Sequence, residues 1–516
     1  MTALLVRPHR ALVERVWGLP SWTVAAATTV AVVGRLPFLG HAPGPDEAGF
    51  LLVGGQWNGA GSSLYGNYWV DRPPLLITIF RFASSLGGLA ALRLIGCVAV
   101  ALVVIGSARV AGLLGGDHAA RWAAVTAAGL TLSPLLGGYE VNGELLAAPF
   151  TLGGIALVII AVRSIDQRRA FVASAVAGAC AVSSLMIKQN LADAAVFGVV
   201  AFVLALWHRN ITRQRFGTLA LGAIAGALAV GLVLAGWTVL HGTSLAGVFD
   251  AMYPFRIQAD QVQAAVGAGH STARLYRLIG VAAGSGLGLL MLGFARDLVV
   301  RRRQDTLWCA LVATTVFAVV SVLLGGNYWH HYLVELIAPL SVATGVLAAR
   351  HGLVARSLIA YVVVAASVGW AVSLSMPQGN DASSVGRAVA ASSQPGDTIV
   401  TAWGRANVTY SSGLPSPYAQ LWSLPVKTID PQLTALNSVL TGPSAPTWLV
   451  SGPTIRSWGL DTAQTAAILS QDYRPVGRLC GRTIYLHDGL DRTPPSVSGT
   501  CHGSTTPLST MKELTP

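Results

Sequence analysis

Charge is the scarcest property of this sequence. Asp, Glu, Lys and Arg make up 11% of its 516 residues, where a soluble globular domain carries about a quarter. With 53% hydrophobic residues, there is too little polar surface for a water-soluble globule, and the chain reads as a polytopic membrane protein. Cysteine is thin as well: of five, Cys97, Cys180 and Cys309 stand singly inside apolar runs, where packing is their usual role. No spacing of ligands suits a metal. No phosphate-cradling glycine loop lies between a strand and a helix, so a nucleotide has no recognisable seat. No internal repeat is visible. Cations outnumber acids, 34 to 22, yet they gather between hydrophobic runs rather than along one amphipathic face, which favours membrane sorting over nucleic-acid binding.

What is present is a succession of apolar runs of about twenty residues, the length that crosses a bilayer as a helix. The first, 21–39, follows a basic amino terminus (residues 1–20, with Arg7, Arg10 and Arg15) and has no small-residue cleavage site, so it reads as a retained span. Residues 74–88 are the ambiguous piece. A full crossing there would put Arg109, Arg121 and every later basic loop on the wrong side. If that piece lies along the outer surface or re-enters, further spans follow at 91–113, 119–137, 144–162, 170–187, 191–207, 216–240, 275–298, 306–325, 332–349 and 354–376. The clusters Arg163/Arg168/Arg169, Arg209/Arg213/Arg215, Arg296/Arg301/Arg302/Arg303 and Arg350/Arg356 then all fall inside. About eleven transmembrane helices (21–376) result, with the amino terminus cytoplasmic and a first outer loop at 40–90.

After Met376 the apolar runs shorten, and a small extracytoplasmic α/β domain is expected over 377–490. Strands are expected at 398–403, 447–450 and 483–486, and helices at 381–392 and 462–469. The tail, 491–516, is rich in Pro, Ser and Thr and reads as disordered. Cys480 and Cys501 share the outer region, where oxidation would allow a disulfide; spacing alone leaves it open.

Polar residues without a topological duty collect on the outer side. Asp46 and Glu47 (GPDEAGF) follow the first span, where desolvation at an apolar boundary can raise the basicity of a carboxylate. A solvated loop needs acids too. Glu144 (GELLA), just after Glu140, opens a helix, and so serves either a site or the helix dipole. Arg72 (DRPPLL), Lys188 (MIKQNL) and Arg256 (YPFRIQ) are outward cations that suit a phosphate, with snorkelling the plainer reading for Lys188. In NYWHHY, Tyr328 and Tyr332 belong equally to an interfacial belt, whereas the consecutive His330 and His331 point to sugar or phosphate contact. Glu335, one turn further, is placed to orient one of them.

An acidic pair in the first outer loop, a basic-Pro-Pro-Leu segment, an acid opening a later helix, a Lys-Gln turn and a late Tyr/His cluster together resemble the GT-C membrane glycosyltransferases. The nearest branch holds the protein O-mannosyltransferases and the lipid A aminoarabinose transferases. The likeness spans residues 20–376. It implies a polyprenyl-phosphate-linked sugar as donor, hexosyl or pentosyl, an extracytoplasmic acceptor (glycan, lipid or protein), and inversion at the anomeric carbon. It also implies Asp46 as the catalytic acid/base with Glu47 beside it. Arg72 stands where relatives often have Lys, and Glu144 where Asp is commoner. No cofactor is called for; a divalent cation is compatible with the family, although the sequence shows no ligand set for one. The Ala, Gly and Arg richness suits a high-GC bacterium, hence its plasma membrane.

Two other classes remain to be weighed. A transporter or lipid flippase would also be polytopic and basic inside, but it would place ionisable groups at mid-membrane on broken helices, often in repeated halves. A noncatalytic membrane protein that binds the envelope would leave the Asp46 loop incidental.

Overall fold

The computed structural model describes residues 21–265, 269–301, 305–377, 379–452, 455–457, 459–496 and 501. The basic amino terminus, Arg302, Arg303 and most of the tail expected to be disordered lie outside these residues. The apolar runs up to residue 376 form helices. In chain order the first nine are α1 (Trp22–Val33), α2 (Pro45–Gln56), α3 (Pro74–Leu86), α4 (Leu89–Gly115), α5 (Asp117–Leu132), α6 (Gly143–Arg163), α7 (Gln167–Leu185), α8 (Asp193–Trp207) and α9 (Arg213–Leu240). Side-chain caps start two of them: Asn142 accepts from Leu145 N at 2.9 Å at the start of α6, and Asp166 from Arg168 N at 2.9 Å at the start of α7.

The loop expected at 241–274 is not irregular. It carries α10 (Leu245–Met252) and α11 (Pro254–Ala265) before α12 (Gly269–Gly284). α12 and α13 (Leu287–Arg301) meet at a 78° bend, so the single span expected at 275–298 is broken. Then come α14 (Thr306–Leu324), a 3₁₀ turn (His330–Leu336), α15 (Ile337–His351) and α16 (Leu353–Leu374). Six helices among the described residues are long and apolar enough to cross a membrane, seven if the bent pair is one span; Trp22–Phe38, Pro74–Leu86 and Asp193–Trp207 are shorter apolar helices. The stretch at 74–88, whose path the charges left ambiguous, is a 13-residue amphipathic helix.

With lipid on the outside, helices hold together through close packing rather than water exclusion. Between α7 and α9 this is direct: a Cβ at Gly226 would lie 1.7 Å from Ala175 O. The segment His330–Arg350 is buried along nearly its whole length and forms the middle of the bundle.

The carboxyl-terminal domain comprises α17 (Asp381–Ala391), β1 (Ile399–Thr401), α18 (Ala406–Ser412), α19 (Ser423–Ile429), α20 (Thr434–Thr441), β2 (Trp448–Ser451), α21 (Ala463–Asp472), β3 (Tyr473–Leu479) and β4 (Arg482–His487). The sheet order is β1-β2-β4-β3, with β1 and β2 parallel and the other pairs antiparallel. Ile399, Trp448 and Val450 enter one hydrophobic cluster while Val400 and Leu449 enter another. Burial on both faces is why β1 and β2 read as short apolar runs. β3 (YRPVGRL) escaped the pattern because it is an edge strand, where Pro475 removes no needed donor. Cys480 and Cys501 are bonded to each other.

Candidate functional site

The first polar loop folds into the start of α2. Gly44 is extended, Pro45 occupies the first helical position where its missing N–H is harmless, and Asp46 and Glu47 fall in the first turn, where carboxylates complement the helix dipole. The two acids then diverge. Glu47 is 2% exposed and enclosed by donors: Arg93 Nη2 at 2.9 Å, Arg93 Nε at 3.3 Å, Val141 N at 3.1 Å and Gly44 N at 3.3 Å. Arg93 also donates to Phe38 O and His41 O, both at 2.7 Å. Glu47, expected beside Asp46 as part of the chemistry, is thereby committed to tying α2, α4 and the loops before α2 and α6 together.

Asp46 is half-buried and accepts from Trp422 Nε1 at 2.9 Å. Trp422 belongs to the carboxyl-terminal domain and reaches α2 because residue 49 is glycine: a Cβ there would lie 2.2 Å from Trp422 Cζ2. The domain is also anchored by Ser416 N donating to Tyr68 OH at 3.0 Å, Trp69 N to Ala419 O at 3.1 Å and Asn380 Nδ2 to Pro43 O at 3.2 Å.

Asp71 gathers the cations. Arg72 Nη1 lies 2.9 Å from its Oδ1, Arg256 pairs with its Oδ2, and the Arg72 guanidinium stands 5.7 Å over the Phe50 ring. Burial pushes Arg72 down, but the Asp71 and Asp46 carboxylates outweigh it and hold the guanidinium above its ordinary range. Lys188 and Glu144 form a buried pair at 2.5 Å, and the Lys188 ammonium sits 4.3 Å from the Tyr332 ring. His331 lies within electrostatic reach of Glu144, Asp46, Lys188 and Arg72 and stacks edge-on to Tyr332 at 4.9 Å.

These groups surround one cavity of about 870 Å³ between the end of the bundle and the carboxyl-terminal domain. Asp46, Glu47, Arg72, Arg256, His330, His331 and Tyr332 line it. Three expected residues do not. Lys188 and Glu144 stand behind Tyr332 as an ion pair, and Tyr328 packs against the hydrophobic core. Glu335 orients no histidine; it accepts from Asn190 Nδ2 at 3.1 Å and Ser321 Oγ at 3.2 Å.

Other lining residues carried no sufficient signal in the sequence. Glu140 is held in place through its backbone, whose carbonyl accepts from Arg35 Nη2 at 3.0 Å, and burial together with the Glu47 carboxylate pushes its carboxyl up to about 7. Its loop position was visible, but its depth was not. Lys427 and the arginines Arg274, Arg405 and Arg482 complete the positive wall, and burial next to Arg274 pushes the Lys427 ammonium down to about 8. Lys427, Arg405 and Arg482 sit in the carboxyl-terminal domain, where a cation is ordinarily a solubilising group, whereas Arg274 lies in α12 beside the bundle and shares its outer segment with Arg256.

Around Asp46 the described residues supply no metal-ligand set. The single cluster of three ligand atoms is Asp381 with Cys480 and Cys501, and both sulfurs are used in the disulfide.

An apolar helical bundle whose charged groups face one rim cavity, roofed by a small α/β domain, is the architecture of the GT-C membrane proteins, and this chain has that fold. The solved structures that it resembles are glycosyltransferases. It superimposes on ArnT from Cupriavidus metallidurans bound to undecaprenyl phosphate with a TM-score of 0.62, at 14% identity over 90% of this chain and 97% of that one. It also matches the oligosaccharyltransferase of Archaeoglobus fulgidus in the apo form, with a TM-score of 0.56 and 12% identity over 85% of this chain and 70% of that one. The same archaeal enzyme, AglB, in complex with an inhibitory peptide and a dolichol-phosphate gives 0.51, at 12% identity over 84% and 69%. No protein-family model and no curated protein matches the sequence.

Proposed function

We propose that the chain is a membrane glycosyltransferase that moves a sugar, hexosyl or pentosyl, from a polyprenyl-phosphate donor to an extracytoplasmic acceptor, with Asp46 as general base. The membrane is the bacterial plasma membrane, with the carboxyl-terminal domain on its outer side. One observation carries this reading: Asp46 shares a rim cavity with Arg72 and Arg256. The undecaprenyl phosphate and dolichol-phosphate bound by the structural neighbours support a lipid phosphate as the donor's leaving group.

In this mechanism the acceptor hydroxyl approaches the anomeric carbon with its proton directed at Asp46. The new C–O bond forms as the bond to the phosphate oxygen breaks, the proton passes to Asp46, and the phosphate departs on its lipid. Arg72 and Arg256, already oriented by Asp71, stabilise the charge that grows on the leaving phosphate. The Lys188–Glu144 pair fixes Tyr332 and adds no net charge. No step is routed through a divalent cation. The 78° break between α12 and α13 is the feature that favours a transporter instead; in that case labelled lipid would cross the membrane with its sugar intact.

The test is a membrane assay with a panel of radiolabelled polyprenyl-phosphate sugars. The wild type is expected to move one label from lipid to acceptor, and Asp46→Asn to abolish this while expression and insertion persist. Normal transfer by that variant refutes the assignment.

A further inference from the structure

The carboxyl-terminal domain brings a second set of cations, and they are held differently from the first. Arg72 and Arg256 are both committed to Asp71. Arg405, before α18, and Arg482, opening β4, line a recess of about 300 Å³ with Arg456 at its exposed edge. Trp403, Arg405, Cys480 and Arg482 border both the recess and the main cavity, so the two lie side by side. Among the described residues none of the three arginine side chains has an ion-pair or hydrogen-bond partner, and Arg482 Nε is shut off from solvent with none.

Two half-buried guanidiniums facing one recess repel each other, and a buried N–H without an acceptor is costly. Burial pushes Arg405 below its ordinary range, and burial together with the Arg405 charge brings Arg482 to about 10. Asp381 acts on Arg482 from a distance but forms no pair with it, and Asp381 Oδ1 is itself buried without a partner. Planar guanidiniums match the oxygens of a phosphate or carboxylate in pairs, which a neutral sugar cannot reproduce.

We infer that the acceptor carries an anionic group, phosphoryl or carboxylate, which Arg405 and Arg482 bind in this recess while the reacting hydroxyl lies in the main cavity. The inference rests on the glycosyltransferase reading and names the class of acceptor. It separates two anion sites: the donor phosphate at Arg72 and Arg256, and the acceptor anion at Arg405 and Arg482. Lys427, beside Arg274, adds positive charge to the lining of the main cavity.

The experiment labels the full-length protein in detergent with phenylglyoxal, an arginine-selective dicarbonyl, and reads each arginine by peptide mass spectrometry. The probes are glycerol phosphate, glycerate and glycerol, with undecaprenyl phosphate in a separate arm. Labelling of Arg405 and Arg482 is expected to fall with one of the two anions and not with glycerol, and which anion protects identifies the group. In Arg405→Gln/Arg482→Gln the binding of that anion, measured calorimetrically, should weaken about tenfold or more. Should the double variant fail to fold, Arg456→Gln at the exposed edge is expected to weaken it in the same direction. Protection by neither anion overturns the inference. So does protection of Arg405 and Arg482 by undecaprenyl phosphate in place of Arg72, which would assign the recess to the donor. Transfer by Asp46→Asn would defeat the proposed mechanism and leave these labelling results standing.

Discussion

The contrast between Asp46 and Glu47 gives a prediction in which two adjacent acids fail in opposite ways. Glu47→Gln replaces a carboxylate that is 2% exposed and accepts from Arg93 twice, from Val141 N and from Gly44 N. An amide keeps one acceptor oxygen, turns its NH₂ toward another donor, and leaves the Arg93 guanidinium buried without its counter-charge. Removing one partner of a buried pair costs about 3–5 kcal/mol, a large share of the roughly 5–15 kcal/mol by which a folded chain is stable. The expected outcome is a marked fall in detergent-solubilised yield and in Tm, with activity per folded molecule largely retained in whatever folds. Removing both charges in Glu47→Leu/Arg93→Met should restore only part of the stability, because neither ion then has to be desolvated but Val141 N, Gly44 N, Phe38 O and His41 O lose their partners. Thermal denaturation followed by size-exclusion recovery, beside the radiolabel assay, measures both quantities. A Glu47→Gln protein with wild-type Tm and no transfer would refute the reasoning and return Glu47 to the chemistry.

Trp422→Phe keeps a ring against Gly49 but removes a hydrogen bond to the Asp46 carboxylate worth about 1.5–3 kcal/mol; transfer should drop about ten- to a hundredfold without loss of fold. Gly49→Ala should do the same from the other side, since its Cβ would overlap the indole, and full activity in both would remove Trp422 from the site. Glu140 titrates near 7 in the folded protein and near 4.5 when unfolded, so between those values the folded state holds the extra proton and stability falls as pH rises. Glu140→Gln should flatten that slope in denaturation measured across this range, and an unchanged slope would assign it elsewhere. Arg72→Ala is expected to raise the donor concentration required without lowering Tm; unchanged donor dependence would exclude it from phosphate contact.

Much of the candidate cavity lining is legible in the sequence. Asp46, Arg72, Arg256, His330 and His331 stand out as polar residues that membrane topology does not require, Tyr332 is equally at home in an interfacial belt, and all six line one cavity. What misled was adjacency. Glu47 looks like Asp46 in sequence, but a helix turns its successive side chains by about 100°, so although both border the cavity, the Glu47 carboxylate is turned onto Arg93 while Asp46 is not. Lys188 reads in sequence as a phosphate-binding cation and Glu144 as a site carboxylate or a helix-dipole partner, and only their 2.5 Å approach, across 44 residues of chain, shows that they pair with each other.

The apolar runs, the placement of cations between them and the change of composition after Met376 determined that this chain is a multi-helix membrane protein with a small mixed domain at its end, because those signals are local. Which charges meet was decided by tertiary structure alone. Trp422 on Asp46, Arg405 beside Arg482 and Arg93 on Glu47 join residues 376, 77 and 46 positions apart. No periodicity carries over such separations, and the energy that selects those contacts, desolvation against pairing, exists only once the cavity is built.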